Sequence, residues 1–283
     1  SGGLTSLTPG SGWTALGTSA GTGYISDYRI GPPTGSTLTS TITANPGTTW
    51  GAVIATFKVP AAPSATIDLA TSSNIAIRID GAAADNESGW ATESVGDMNG
   101  DGIDDIFVGA PSFWSGGVNR GYVVWGGGAP RTVDLNALGS NGFVINGLSN
   151  GSALGRAVAA VGDLNGDGRG DVAISAHLAD NNGRADSGSV YVVFGKATTT
   201  TVNVGTLGSW GYRVDGAAAG DYFGATVGAG DVNGDGLRDL VVTAPYADNN
   251  ARTDSGSAYV VFGKSSTTTV DTASLGTSGW RID

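Results

Sequence analysis

The chain repeats itself, and the repeat limits the possible folds more than any other feature. "GDMNGDGIDDIFVGAP" begins at Gly96, "GDLNGDGRGDVAISAH" at Gly162 and "GDVNGDGLRDLVVTAP" at Gly230, 66 and 68 residues apart. The surrounding sequence repeats too. "DSGSVYVVFGK" (Asp186 to Lys196) returns as "DSGSAYVVFGK" (Asp254 to Lys264), and "GFVINGLSNGSALG" near Gly142 matches "GYRVDGAAAGDYFG" near Gly211. "IRIDGAAADNESG" precedes the first copy, and the final "SGWRID" begins the same phrase.

Each period predicts four short strands, which in the third copy are 225–230, 239–244, 257–263 and 279–283. β-branched residues alternate with polar ones between Gly, Asn and Asp turns, and no amphipathic helix competes. Four strands per repeat describe a propeller blade better than a solenoid rung. The blades then cover about 89–146, 155–215 and 224–283. Strand 74–80 is left over as the outer strand of a preceding blade. Three blades cannot close a ring of four to eight, so other parts of the polypeptide or neighbouring subunits would complete it. Open strand edges at 74–80 and in the last blade invite end-to-end pairing.

These repeats resemble the FG-GAP repeats of integrin α-subunit propellers and large bacterial surface proteins. The "FG" stands as Phe223-Gly224 and decays to Leu154-Gly155 and Ser88-Gly89. The "GAP" stands as Gly109-Ala110-Pro111 and decays to Thr243-Ala244-Pro245 and Ser175-Ala176-His177. The resemblance covers about 210 residues. It implies an all-β, integrin-like β-propeller segment over 71–283, an incomplete ring or open array, on the outside of a cell.

Within each repeat lies an acidic loop, D-x-N-G-D-G-x-x-D. Positions 1, 3, 5 and 9 are Asp97, Asn99, Asp101 and Asp105; then Asp163, Asn165, Asp167 and Asp171; then Asp231, Asn233, Asp235 and Asp239. Alternate side chains of a tightly curled segment can direct oxygens into one cavity. The carbonyls of Ile103, Arg169 and Leu237 at position 7 can join them, which suits the hard oxygen ligation of Ca²⁺. Mg²⁺ demands stricter geometry, and no soft ligand serves Zn²⁺. Three Ca²⁺ sites are expected, of extracellular-module affinity, on the order of 10⁻⁴ to 10⁻³ M or tighter. Position 12, a bidentate Glu in an EF-hand, is Val108, Ile174 or Val242, so the loop runs into a buried strand.

Charge agrees with this reading. Net charge is −11, and all acidic residues except Glu87 and Glu93 are Asp, the short carboxylate of ligand loops. Three Ca²⁺ ions would bring the net charge to −5. Fourteen Lys and Arg with no basic stripe argue against nucleic acid. No stretch is long and apolar enough for a membrane span. The absence of Cys excludes disulfides and thiolate metal sites. A chain starting at Ser1 reads as a processed product or part of something longer.

Other motifs carry less. Arg169-Gly170-Asp171 is an adhesive tripeptide, but its Asp is position 9 of a loop whose two sisters have Asp without the tripeptide. Two G-x-S-x-G matches, 17–21 and 147–151, lack a nucleophile-elbow setting, and the one His, His177, fills the Pro slot of a GAP motif. No catalytic residue is expected. Asn86-Glu87-Ser88 is a glycosylation sequon. Trp90, Phe113, Trp114, Tyr222 and Tyr246 fall in or beside loops, as rim padding or as a surface for a protein or glycan.

Residues 1–70 lie outside the repeat. "YISDYRI", "STLTSTITA" and "WGAVIATFKVP" predict three strands, followed by a linker at 59–64. The run 50–60 resembles the closing strand of bacterial jelly-roll modules, making this a partial β-sandwich-like piece. Three functions follow as expectations. The first is a calcium-binding, non-catalytic extracellular segment for adhesion, binding or scaffolding. The second is a self-assembling fibre subunit joined through unpaired strands. The third is an accessory module of a secreted enzyme whose catalytic domain lies elsewhere.

Overall fold

The computed structural model describes residues 77–112, 118–128, 131–148 and 151–283, with two further strands near the N-terminus. The chain divides into two units, 1–68 and 69–283. In the first, β1 (Thr14–Thr18) pairs antiparallel with β2 (Ile25–Tyr28). β2 falls within the expected "YISDYRI" strand, whereas β1 was not anticipated. The other two expected strands and the linker lie outside the described residues.

The second unit is all-β, with single-turn 3₁₀ segments and no α-helix among the described residues. β3 (Ile77–Asp80) comes first. The first blade comprises β4 (Thr92–Gly96), β5 (Asp105–Ala110), β6 (Arg120–Val124) and β8 (Gly142–Asn146), with β7 (Arg131–Asp134) set between its last two strands. The second comprises β9 (Val158–Gly162), β10 (Asp171–Ala176), β11 (Ser189–Val193) and β13 (Gly211–Asp215), interrupted by β12 (Val202–Asn203). The third comprises β14 (Val227–Gly230), β15 (Asp239–Ala244), β16 (Ser257–Val261) and β18 (Gly279–Ile282), interrupted by β17 (Val270–Asp271). Every blade is an antiparallel four-strand meander. The innermost strands β4, β9 and β14 lie side by side, as in an open array of propeller blades.

One element in each repeat was not anticipated. After its third strand, the chain crosses to the outer edge of the preceding blade and adds a short parallel strand there. β12 lies on β8, with Val202 opposite Ile145, and β17 lies on β13, with Val270 opposite Val214. β7 does the same on β3, with Val133 opposite Ile79. The chain then turns through 3₁₀ segments and returns as the fourth strand of its own blade. Two blades are thus five-stranded sheets stitched to their successors.

The cores lie between blades. One joins Phe107, Val123, Phe143 and Ile145 of the first blade to Val172, Ile174, Tyr191 and Val202 of the second repeat. Another joins Val190, Val192, Tyr212 and Val214 to Leu240, Val242, Tyr259 and Val270. A strand packed on both faces has no solvent side, so every residue of β10 and β11 is buried. Each large side chain so enclosed contributes about 1.5–3 kcal/mol. Lysines close the seams. Lys196 Nζ donates to the Thr200 carbonyl and sits 4.3 Å from the Phe143 ring centroid; Lys264 treats Thr268 and Tyr212 alike, at 4.6 Å. Burial lowers the Lys196 pKa to about 8.

Candidate metal centre

The three acidic loops are the hairpins joining the first two strands of each blade. Their closure begins with position 1. Asp97 Oδ1 accepts from the backbone N–H of Gly100 (2.6 Å) and Asp101 (3.0 Å), and Oδ2 from Gly102 (2.7 Å). Asp163 holds Gly166, Asp167 and Gly168, and Asp231 holds Gly234, Asp235 and Gly236, at 2.7–3.1 Å. Such curling needs left-handed backbone at positions 4 and 6. Gly100 and Gly102, with φ of 85° and 86°, supply it at no steric cost. Burial tends to raise the Asp97 pKa, but the amides of Gly102, Gly100, Asp101 and Asn99 outweigh it and hold the group below its ordinary value.

Position 9 behaves differently. Asp105, Asp171 and Asp239 open the second strand of their blades and are fully buried. Each ties its own loop to the end of the third strand. Asp105 accepts from Met98 N–H (2.9 Å) and Gly126 N–H (2.8 Å); Asp171 from Leu164 (2.8 Å) and Gly195 (2.9 Å); Asp239 from Val232 (2.9 Å) and Gly263 (3.0 Å). Burial raises the Asp105 pKa, with the Gly126 and Met98 amides opposing it and the Asp101 charge adding to it. In Asp171 burial is again the largest cause. The Gly195 and Leu164 amides offset part of it, the charges of Asp167 and Asp163 reinforce it, and the pKa reaches about 7. A buried carboxylate among like charges favours its neutral form or a nearby cation.

Positions 3 and 5 bridge the two. Asp101, Asp167 and Asp235 each accept from the amide of position 7 (Ile103, Arg169, Leu237) and from the side-chain Nδ2 of Asn99, Asn165 or Asn233. Asn99 Nδ2 lies 3.1 Å from Asp101 Oδ2 and 3.5 Å from Asp105 Oδ1, so two carboxylates face one partly positive group. No cluster of three acidic or His side chains arranged for a metal occurs among the described residues. The donor set is nonetheless all hard oxygen, and a half-turn of the Asn amide would present oxygen in place of nitrogen. The residues therefore fit a hard divalent cation. Sequence reasoning missed the amides of Gly126, Gly195 and Gly263; their signal is the Gly that follows Trp125, Phe194 and Phe262 in every repeat.

The remaining candidates resolve on burial. Asp171 has no exposed surface, and Arg169 turns its Nε toward the Asn99 carbonyl of the neighbouring loop (3.4 Å), so the Arg-Gly-Asp tripeptide offers no free carboxylate. His177 packs near Tyr222, and burial together with the Arg156 charge lowers its pKa to about 4. The serines of both G-x-S-x-G matches, and Phe113 and Trp114, lie outside the described residues. Asn86 of the sequon donates to Ser112 Oγ at 3.0 Å. Tyr222 and Tyr246 meet edge to face at 5.2 Å, while Tyr246 and Trp90 remain exposed. No helix among the described residues is long and apolar enough to cross a membrane.

Comparison with known proteins agrees with this geometry. Residues 89–124, 154–193 and 223–261 match the FG-GAP repeat family. The chain is similar to phosphatidylinositol-glycan-specific phospholipase D of Bos taurus, 31% identical over 201 residues, covering 69% of this chain and 23% of that protein. It is also similar to integrin alpha-11 of Homo sapiens (32% identical; 52% of this chain, 12% of that protein) and to integrin alpha-V of Gallus gallus (32%; 52% and 14%). The chain thus spans less than a quarter of the length of these relatives. Three in-phase blades with the acidic hairpin, matched in each repeat, make the second unit of this chain an array of FG-GAP repeats.

Proposed function

We propose that the chain is a calcium-stabilised FG-GAP propeller segment, acting outside the cell or on its surface as a non-catalytic module for adhesion, ligand binding or scaffolding. The observation that carries this reading is the threefold recurrence of a fully buried position-9 carboxylate beneath an acidic hairpin. Asp97, Asn99, Asp101, Ile103 and Asp105 would hold one ion, and the equivalent residues of the other two loops would hold two more. A bound divalent cation supplies positive charge that offsets the mutual repulsion of these Asp residues. The chain's own residues set the loop shape: position 1 gathers the amides, and position 9 anchors the hairpin to the blade. The lone His, packed and neutral at physiological pH, favours a non-catalytic role.

Thermal melting in calcium and in EDTA tests the reading. A clear rise of Tm in calcium supports it, and identical melts would overturn it. Self-assembly through unpaired strands is a second reading, favoured by β18, which is an edge strand of its sheet. The similarity to a phospholipase D favours an accessory role beside a catalytic domain, which the full-length reading frame would establish.

A further inference from the structure

The two internal seams provide a template for judging the outer face of the third blade. In the first and second blades, the face turned to the next repeat is sealed: Met98, Leu164, Phe143, Tyr212, Ile145 and Val214 are each at most 2% exposed. Their counterparts in the third blade are Val232, Trp280 and Ile282, at 48%, 44% and 51% exposure. The polar clamp is incomplete in the same way. In the second blade, Arg184 pairs with Asp271 of β17 at 2.9 Å and Asn182 Nδ2 donates to it at 3.1 Å. Arg252 and Asn250 stand at those places in the third blade, where β18 carries no added parallel strand.

We infer that this face binds the β7 segment of a second copy of the chain, resting on the self-assembly reading above. The occupant is chosen by register and charge. Within one chain β7 lies on β3, with Arg131 opposite Ile77, Thr132 opposite Arg78, Val133 opposite Ile79 and Asp134 opposite Asp80. β18 repeats the acceptor almost residue for residue: Trp280, Arg281, Ile282 and Asp283 take the places of Ile77, Arg78, Ile79 and Asp80. Val133 would cover Ile282, and Asp134 would meet Arg252 and Asn250 as Asp271 meets Arg184 and Asn182. Arg131 would face Trp280, the counterpart of the rings that Lys196 and Lys264 cover inside the chain. β18 is the better acceptor, because a four-stranded sheet backs it while β3 and β7 form a sheet of two. Exchange of β3 for the partner's β18 joins copies head to tail, a heterologous contact that need not close.

The chain has no cysteine, so an engineered pair reports the register directly. Thr132 and Arg281 are exposed and would oppose each other across the contact. Sedimentation velocity of the full chain in calcium should show association that grows with concentration. Mixing Thr132→Cys with Arg281→Cys protein should yield a disulfide-linked dimer. Trp280→Ser and Ile282→Lys, both at exposed positions, should raise the dissociation constant on the order of thirtyfold, the usual effect of losing a central interface tryptophan. Association that survives both variants, without the 132–281 disulfide, overturns this surface while leaving self-assembly standing. A chain that stays monomeric with no disulfide overturns both; the face then belongs to a further repeat of the same polypeptide or to another protein.

Discussion

Two carboxylates eight residues apart in the same loop serve opposite physical ends. Position 1, as in Asp97, lies in an exposed hairpin, gathers three amides and has a lowered pKa. Position 9, as in Asp171, is buried between strand ends, accepts from two amides and has a pKa raised to about 7. The first shapes the loop with or without a cation. The second is a charge held inside the fold at a cost, and a bound ion would relieve that cost. Substitution at the two positions should therefore differ in size and in dependence on calcium.

The largest effect is expected at position 9. Asp171→Ala leaves the Leu164 and Gly195 amides without their acceptor in a buried site, costing about 2–5 kcal/mol in denaturant unfolding with calcium present. A loss below that of a surface substitution would erase the distinction. The pH response comes next. The folded pKa of Asp171 lies above the unfolded value of 3.8, so in EDTA its contribution favours folding below about pH 4 and is lost as pH rises toward 7. Asp105 shifts in the same direction. Stability in EDTA should fall across that window by a few kcal/mol, and calcium should flatten the slope. A profile rising from pH 4 to 7 in EDTA would contradict the assignment.

Smaller effects are expected at the loop surface. Asp163→Ala removes the acceptor of three exposed amides and should cost about 1 kcal/mol in EDTA, as loss of a helix cap does, and more in calcium. Asp235→Ala should lower Tm in calcium and leave it nearly unchanged in EDTA; equal losses would count against position 5 as a ligand. Arg169→Ala removes only a 3.4 Å contact and should stay within about 0.5 kcal/mol by the same unfolding measurement.

The sequence displayed what repeats and what alternates. The strands of the third blade fall where the β-branched runs place them, and Val108, Ile174 and Val242 do lead into buried strands because a loop ligand there would have no solvent to reach. Two-residue strands such as Val202–Asn203 carry no periodicity, and their partners lie 57 residues away, so no local pattern marks them. The role of position 9 was legible only in part. Its residue type suggested a ligand, but its grip on Gly195 follows from how the third strand ends against the second. The exposure of Trp280 was equally hidden, since "GWRID" reads like "GYRVD" and differs only in what packs against it.

Isothermal titration of Ca²⁺ into EDTA-stripped protein, paired with the same titration into the Asp97→Ala, Asp163→Ala and Asp231→Ala triple variant, bears most directly on the cation reading. Three binding events on the order of 10⁻⁴ to 10⁻³ M or tighter, lost in the variant, are the expected result. Heat no greater than dilution at millimolar calcium, with the protein fully folded, would contradict it.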